Sequence, residues 1–479
     1  MQGALNRPPD LGWVGAIAIP IAALALIGSW MLSGKLVLAI VVGLALIAAI
    51  LRFPIVAPIA LAFTIPWTSG TSLTGGSVPL SPTEVVVGAL GAAWIIELAL
   101  ERRNPFRSVP WAGFVVLFIV VILISVSQST DVRASGREVI KWAEMLVVYL
   151  AVLPLVRVPR NARLVLAAMV LGGVSQAVLG FLQLAANHGP AAFASERLLL
   201  RAYGTFDQPN PYAGYLNMIL PVAVGMALIA TRGRARRRYW IAAIVIGGAI
   251  LASESRGALL AGVIALAIVL GYQMPRLRQP FLLAVVAVLL VGLVSAFGFT
   301  IAPLERLLNA IGLGSVSFGT VNNSNFSAVE RAAHWLAGVR MFNAHPLLGV
   351  GIGNYGAAYP MFHPRGWYAS LEHAHNYYIN IAAEAGIIGL AAYLLLAGSA
   401  LWYSCSAMRR AYHPAYRAAG FGATGALIAT SFHNLVDVLY VHGTTALIGL
   451  LMALVTAGFA AGPQRFPTDT LPVSSNDSV

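Results

Sequence analysis

His375-Asn376 stands at the start of a long apolar run, preceded by Glu372-His373-Ala374 and followed by Tyr377-Tyr378. Nine residues further on comes Gly386-Ile387-Ile388-Gly389. A histidine where an apolar helix meets water can take a proton from a hydroxyl held at that surface. The positive end of the helix keeps such an imidazole neutral, the form a base needs. His373 and His375 flank Ala374, and in a regular helix their rings would point about 200° apart. One of them is therefore expected to face the site: His375 as the base, with His373 as supporting member or substitute. Gly386 lies eleven residues from His375 on the expected same helix face. With Ala382, Ala385 and Gly389 it reads as a small-residue surface for close helix contact.

Arginines supply the second chemistry. Arg201 leads into Tyr203-Gly204-Thr205-Phe206-Asp207-Gln208-Pro209-Asn210-Pro211-Tyr212, a turn-rich approach to a helix. Arg256, in Ser255-Arg256-Gly257, interrupts two apolar runs where charge is costly. Arg331 and Arg340 fall on an expected helix from Ala328 to Phe342 and are read as sharing one of its faces. Two or more converging guanidiniums make a diphosphate site, since each binds phosphate oxygens in a fork. Asn376, Glu384 and Asp437 are candidate supporting residues. Glu384 is expected either to pair with an arginine or to join the site. Asp437 lies beside His433-Asn434 near the end of an apolar run. Lys141 and Glu144, three apart inside another run, are expected to neutralise each other.

The absences narrow the chemistry. The outward loops hold no Asp-x-Asp pair, and the chain has no P-loop, zinc-binding helix motif or nucleophile elbow in a suitable context. Its one cysteine, Cys405, excludes a disulfide framework and a thiolate metal site. No metal and no cofactor are expected.

The elements that position these residues are membrane helices. Of 479 residues 59% are hydrophobic and 10% charged, with mean hydropathy +0.80, whereas a soluble domain is about a quarter charged. Apolar runs lie near 13–32, 36–51, 53–67, 84–100, 111–126, 138–156, 161–186, 211–230, 239–254, 257–272, 281–299, 379–403, 418–437 and 440–461. Several are short, so twelve to fourteen true spans are expected in an all-α polytopic integral membrane protein. The first run lacks a small-residue cleavage site and reads as a span, not a removed signal. The net charge of +13 comes almost wholly from arginine. Nineteen basic residues, the Arg232–Arg238 run among them, gather at alternate loop ends, against ten spread over the longer opposite loops. By the positive-inside rule both termini are cytoplasmic, and the loops 68–83, 127–137, 187–210 and 300–378 face outward. The Arg232–Arg238 run is a topology anchor, with no nucleic acid implied. Four regions follow: helices with the outward Arg201 and Arg256 loops (1–299), a large outer helical loop (300–378), the last three spans (379–461) and a disordered cytoplasmic tail (462–479). Within the large loop, Pro346 to Tyr355 reads as a turn-rich strip, with Gly349, Gly351 and Gly353.

His375-Asn376 with Gly386-x-x-Gly389 resembles the signature of bacterial O-antigen ligases. Arg331, Trp335, His345-Pro346-Leu347-Leu348-Gly349-Val350-Gly351 and His373-Ala374-His375-Asn376 are similar to the domain those ligases share with O-antigen polymerases and protein O-oligosaccharyltransferases. Arg201 with Gly204-Thr205-Phe206 and Pro209-Asn210, and Ser255-Arg256-Gly257, also look like motifs of that superfamily. The motif likeness covers roughly 195–440. It implies a GT-C-like, metal-independent, inverting glycosyltransferase of the bacterial inner membrane, working at the periplasmic face among membrane lipids. The donor would be O-antigen on undecaprenyl diphosphate and the acceptor the lipid A-core. His375 would act as general base, and Arg201, Arg256 and Arg331 would stabilise the diphosphate leaving group. A polymerase or protein-glycosylating enzyme would share the donor chemistry and differ in the acceptor. A polysaccharide or lipid transporter is disfavoured, because the halves show no similar hydropathy.

Overall fold

The structure, a computed structural model, describes residues 34–67, 82–101, 109–187, 189–190, 193, 200–206, 208–230, 233–273, 276, 279–280, 283 and 326–460. The expected span 13–32, the span 281–299 (but for position 283), the loop stretches 68–81 and 300–325 and the tail 462–479 lie outside the described residues.

The described chain is helical, with no β-strand. In order the helices are α1 (Gly34–Arg52), α2 (Val56–Thr64), α3 (Pro82–Glu101), α4 (Ala112–Ser125), α5 (Val132–Leu155), α6 (Pro159–Ala186), α7 (Pro209–Ile229), α8 (Arg234–Ala252) and α9 (Arg256–Gln273). After the gap come α10 (Phe326–Ala344), α11 (Tyr355–Phe362), α12 (Tyr377–Arg410), α13 (Pro414–His433) and α14 (Thr444–Ala460). Among the described residues five helices, within α3, α6, α7, α9 and α12, are long and apolar enough to cross a membrane. The outer faces say the same. Val116, Leu117, Val120, Leu123 and Ile124 of α4 form an exposed stripe at helical spacing, as do Leu164, Leu171, Val178 and Leu182 of α6. Apolar stripes of that length need an apolar solvent.

Helix ends follow local chemistry. Asp131 caps α5 by accepting from the N–H groups of Arg133 and Ala134, and Asn376 caps α12 through Tyr378 and Ile379. Pro159 and Pro414 occupy first turns, where their missing N–H costs nothing. Asn187 ends α6 in the left-handed conformation.

The core runs along α7 and α13. Both are apolar on every side and almost wholly buried, as a helix surrounded by other helices must be. Their small residues set the distance: a side chain on Gly425 would strike Pro221, and one on Gly422 would strike Val222. The α9 helix joins the pair through Asn217 Nδ2, which donates to the Ala258 carbonyl at 2.6 Å.

One break in a helix positions the site. At Gly386 (φ 66°, ψ −165°) α12 leaves helical geometry and then resumes. A helix broken in an apolar medium must find new partners for each freed backbone group. The turn-rich strip Pro346–Asn354 supplies them. The N–H groups of Val350 and Gly351 donate to the carbonyls of Ala383 and Glu384 at 2.9 Å, and Ile387 N–H donates to the Pro346 carbonyl at 2.8 Å. A Cβ on Gly386 would meet the Leu347 backbone, and one on Gly349 would meet that of Glu384. The Gly386-x-x-Gly389 and Pro346–Gly351 motifs are thus two sides of one joint. The expectation of Gly386 as a simple helix-packing glycine on the face of His375 is corrected: the helix starts after His375 and is interrupted at Gly386.

Other expectations are refined. The runs 418–437 and 440–461 become α13 and α14, with 434–443 a non-helical turn, so Asp437 lies in that turn and not inside a span. The loop expected over 127–137 is short, since α5 begins at Val132. Lys141 pairs with Glu138 at 2.6 Å rather than with Glu144. Arg331 and Arg340 do not share a face: Arg331 Nε donates to the Val436 carbonyl and Arg340 Nη1 to the carbonyls of Phe362 and His363. Nine residues at 100° each is a half-turn away, which explains the separation.

Gly386→Ala should lower the thermal midpoint of the detergent-solubilised protein strongly. The backbone conformation alone costs about 1–3 kcal/mol for a residue with a Cβ, before the contact with Leu347. Gly398→Ala, in the second half of the same helix and facing open space, should leave the midpoint unchanged or raise it slightly. Equal midpoints for the two variants would contradict the joint.

Candidate active site

His375 lies one residue before the cap of α12, in a left-handed conformation (φ 49°), as do Leu371 and Glu372. Side-chain residues rarely adopt this region, and it is retained where surroundings enforce it. Here they do. Ala374 N–H donates to Asn380 Oδ1 at 3.0 Å, Trp335 Nε1 donates to the His375 carbonyl at 3.3 Å, and Tyr377 N–H donates to the Asn434 carbonyl at 2.8 Å. Asn376 Nδ2 donates to the Leu435 carbonyl at 2.9 Å. The base candidate is therefore pinned between α10 and the 434–443 turn, and Asn376 acts through the backbone.

The strained turn changes the expected geometry of the two histidines. His373 and His375 do not diverge by 200°: their rings meet edge to face at 4.3 Å. His334, on α10, closes on His375 from the other side at 5.5 Å. Asp437 Oδ1 stands 3.7 Å from His375 Nδ1, and the His375 side chain is 17% exposed. Among the described residues neither ring nitrogen of His375 has a hydrogen-bond partner. Burial pushes the His373 imidazole down to about 4, with His375 adding to the shift and Asp437 opposing it. His373 is therefore neutral near pH 7 and accepts, at Nδ1, the His375 backbone N–H at 3.2 Å. One ligand atom each from His373, His375 and Asp437 lie within 4.8 Å of one another, close enough to hold a metal ion.

The arginines approach from α9 and the strap before α7. In the strap, Gln176 Oε1 accepts the Thr205 N–H at 3.0 Å and Gln183 Oε1 the Gly204 N–H at 2.8 Å. Gly204 (φ 58°) passes so close to Gln176 and Tyr212 that no Cβ would fit. Ala202 N–H and Arg201 Nε then donate to the carbonyls of Ala252 and Ser253. The strap thus sets Arg201 at the turn between α8 and α9. Burial lowers the Arg201 pKa, Glu254 opposes this, and the nearby charges of Arg331 and Arg256 lower it further. Three guanidiniums share one field, in which Glu254 is the acidic group acting on Arg201. Arg256 is exposed at the first turn of α9, where a cation opposes the helix dipole. Its neighbour Gly257 packs against His433 and Val436, and the Val436 carbonyl receives Arg331 Nε at 3.2 Å. A continuous path of contacts therefore runs from Arg201 through the α8–α9 turn, His433 and Val436 to Arg331, Asp437 and His375.

Among the described residues Glu384 pairs with no arginine. It is buried and its Oε1 accepts the Tyr355 N–H at 3.0 Å, which fixes the start of α11. Asn354 acts likewise: its Oδ1 accepts the N–H groups of Thr130 and Asp131, and its Nδ2 donates to Ser135 and to the carbonyls of Asp131 and Ile352. Sequence reading gave no role to Asn354, His334, Tyr355, Tyr359, Gln176 or Gln183. For His334 a signal was present, since it follows Arg331 by three residues on one helix. The others act through contacts distant in sequence.

Residues 240–394 match the family model for O-antigen ligase. The matched stretch holds Arg256, Arg331, His373, His375 and Glu384. The apolar helices that surround it are those of a multi-pass membrane protein. Over that stretch the chain is similar to the O-antigen ligase family. No curated protein matches it.

Burial, with the charge of His375 adding to it, lowers the His334 imidazole to about 4, against about 6.5 in an unfolded chain. The unfolded state then binds the proton first as pH falls. The stability contributed by neutral His334 is complete above about pH 6.5, falls as pH drops through the interval, and levels off below about 4. The thermal midpoint should fall from pH 7 to pH 5, and less steeply in His334→Gln. An unchanged slope in that variant would contradict the assignment.

Proposed function

We propose that this protein transfers a glycan from undecaprenyl diphosphate to the lipid A-core at the periplasmic face of the inner membrane, as an O-antigen ligase. The observation that carries this reading is His375: strained, pinned, with both ring nitrogens unsatisfied among the described residues, and joined through Asp437 and the Val436 carbonyl to Arg331. A sugar hydroxyl is a weak nucleophile. His375 takes its proton as the oxygen attacks the anomeric carbon, and Asp437 steadies the imidazolium that forms. The bond from the anomeric carbon to the diphosphate breaks on the opposite face, inverting the configuration. The negative charge that grows on the leaving diphosphate falls on Arg201, Arg256 and Arg331. Arg201 and Arg331 are already held by backbone carbonyls, so little reorganisation accompanies the step. Guanidiniums in this role replace the divalent ion that an acidic pair would hold.

The test is reconstitution with a lipid-diphosphate glycan and purified lipid A-core, with EDTA present. Transfer is expected to proceed and to invert. His375→Ala should lose about 10²- to 10⁴-fold in rate, and Arg256→Ala about 10²- to 10³-fold, with Arg256→Lys recovering only part because it lacks the fork. Full activity of His375→Ala would sink the mechanism. Transfer to a second donor glycan or to a protein, with lipid A-core ignored, would reassign the acceptor and leave the donor chemistry standing.

A further inference from the structure

We infer that His373, His375 and Asp437 form a binding site for a divalent transition-metal ion such as Zn²⁺, and that the ion switches the protein off. Binding rests on the geometry of the three side chains. The inhibitory effect rests in addition on His375 acting as the base.

Three observations carry the site. One ligand atom from each residue falls within a 4.8 Å circle. His375 Nδ1 and Asp437 Oδ1 are already 3.7 Å apart, near the roughly 3.3 Å between ligands of a tetrahedral zinc ion with bonds of about 2.0–2.1 Å. Both nitrogens of His375 are buried and, among the described residues, without a hydrogen-bond partner, a state of a polar group that a metal ion relieves. The competing contact is the long bond that His373 Nδ1 accepts from the His375 N–H, 3.2 Å. Two imidazoles and one carboxylate, with a fourth position left to water, suit zinc, copper or nickel and not magnesium or calcium, which take oxygen ligands. His334 packs edge-on against His375 and Trp335 holds its carbonyl, so His375 is held in place and the other two ligands close on it. An ion on His375 Nδ1 leaves the ring's one proton on Nε2, so that nitrogen has no lone pair with which to accept the substrate proton.

The experiment uses the full-length protein in detergent, carrying no polyhistidine tag, titrated with Co²⁺ and then with Zn²⁺. The expected result is one Co²⁺ per chain with the visible absorption of a four-coordinate site, displaced by Zn²⁺ and unaffected by excess Mg²⁺. Binding should disappear in His373→Gln and Asp437→Asn and persist in His345→Gln, a change at an exposed histidine of the same loop. Should the first two variants fold poorly, the unmodified protein decides: Zn²⁺ should raise its thermal midpoint in a concentration-dependent way and protect His373 and His375 from acylation. Absence of a one-to-one complex, or unaltered binding in the two folded variants, overturns the site. With the site established, Zn²⁺ should abolish glycan transfer and a chelator restore it. Binding without inhibition would overturn the switch and count against His375 as base. Transfer that requires the ion would leave the site standing and overturn both the switch and the metal-free chemistry.

Discussion

The interrupted helix at Gly386 is the constraint on which the rest depends. A break there leaves two carbonyls and one amide of α12 without helical partners, in surroundings that offer no water. The strip 346–354 satisfies all three, and in doing so becomes part of the membrane helix. Because that strip links α10 to α11, the joint also fixes where α10 lies. α10 carries His334, Trp335 and Arg331, which touch His375, its carbonyl and the Val436 carbonyl respectively. Glu384 and Asn354 lock the joint from either side with backbone hydrogen bonds. A hydrogen-bond deficit inside α12 is thereby converted into the position of His375.

The electrostatics build on that position. Arg201 is held to the α8–α9 turn, Arg331 to the 434–443 turn, and Arg256 is offered to solvent from the end of α9. Burial first, and then the charges of Arg331 and Arg256, lower the pKa of Arg201. Like charges held together by the backbone in this way are stabilised by an anion, and a diphosphate is the anion that two or three forks fit best. His375 has a carboxylate beside it, Asp437, and is joined to Arg331 through the 434–443 turn; in the proposed reaction the departing proton and the negative leaving group would be served by opposite ends of that path.

The fold was legible in the sequence where periodicity and composition act locally. The apolar runs that fall on described residues, the helix 328–342, the turn-rich strip and Asn376 as a helix entrance have their counterparts in the structure. His375, Arg201, Arg256 and Arg331 could be singled out because charge or imidazole in an apolar chain is costly. What could not be read was long-range. Nothing near Gly386 says that Leu347 will lie against it, and the left-handed turn at Leu371, Glu372 and His375 departs from the regular helix that the pattern suggested. That turn brings His373 and His375 together. Asp437 was found by its charge, but its partner 62 positions earlier in the chain was not.

The central claim is that a lipid diphosphate and His375 meet at one site. The most direct measurement is an experimental structure of the full chain with undecaprenyl diphosphate bound. The account predicts phosphate oxygens in contact with at least two of Arg201, Arg256 and Arg331, and the terminal phosphate facing the His375 ring. A diphosphate held elsewhere in the protein, with these three arginines and His375 untouched, would contradict it.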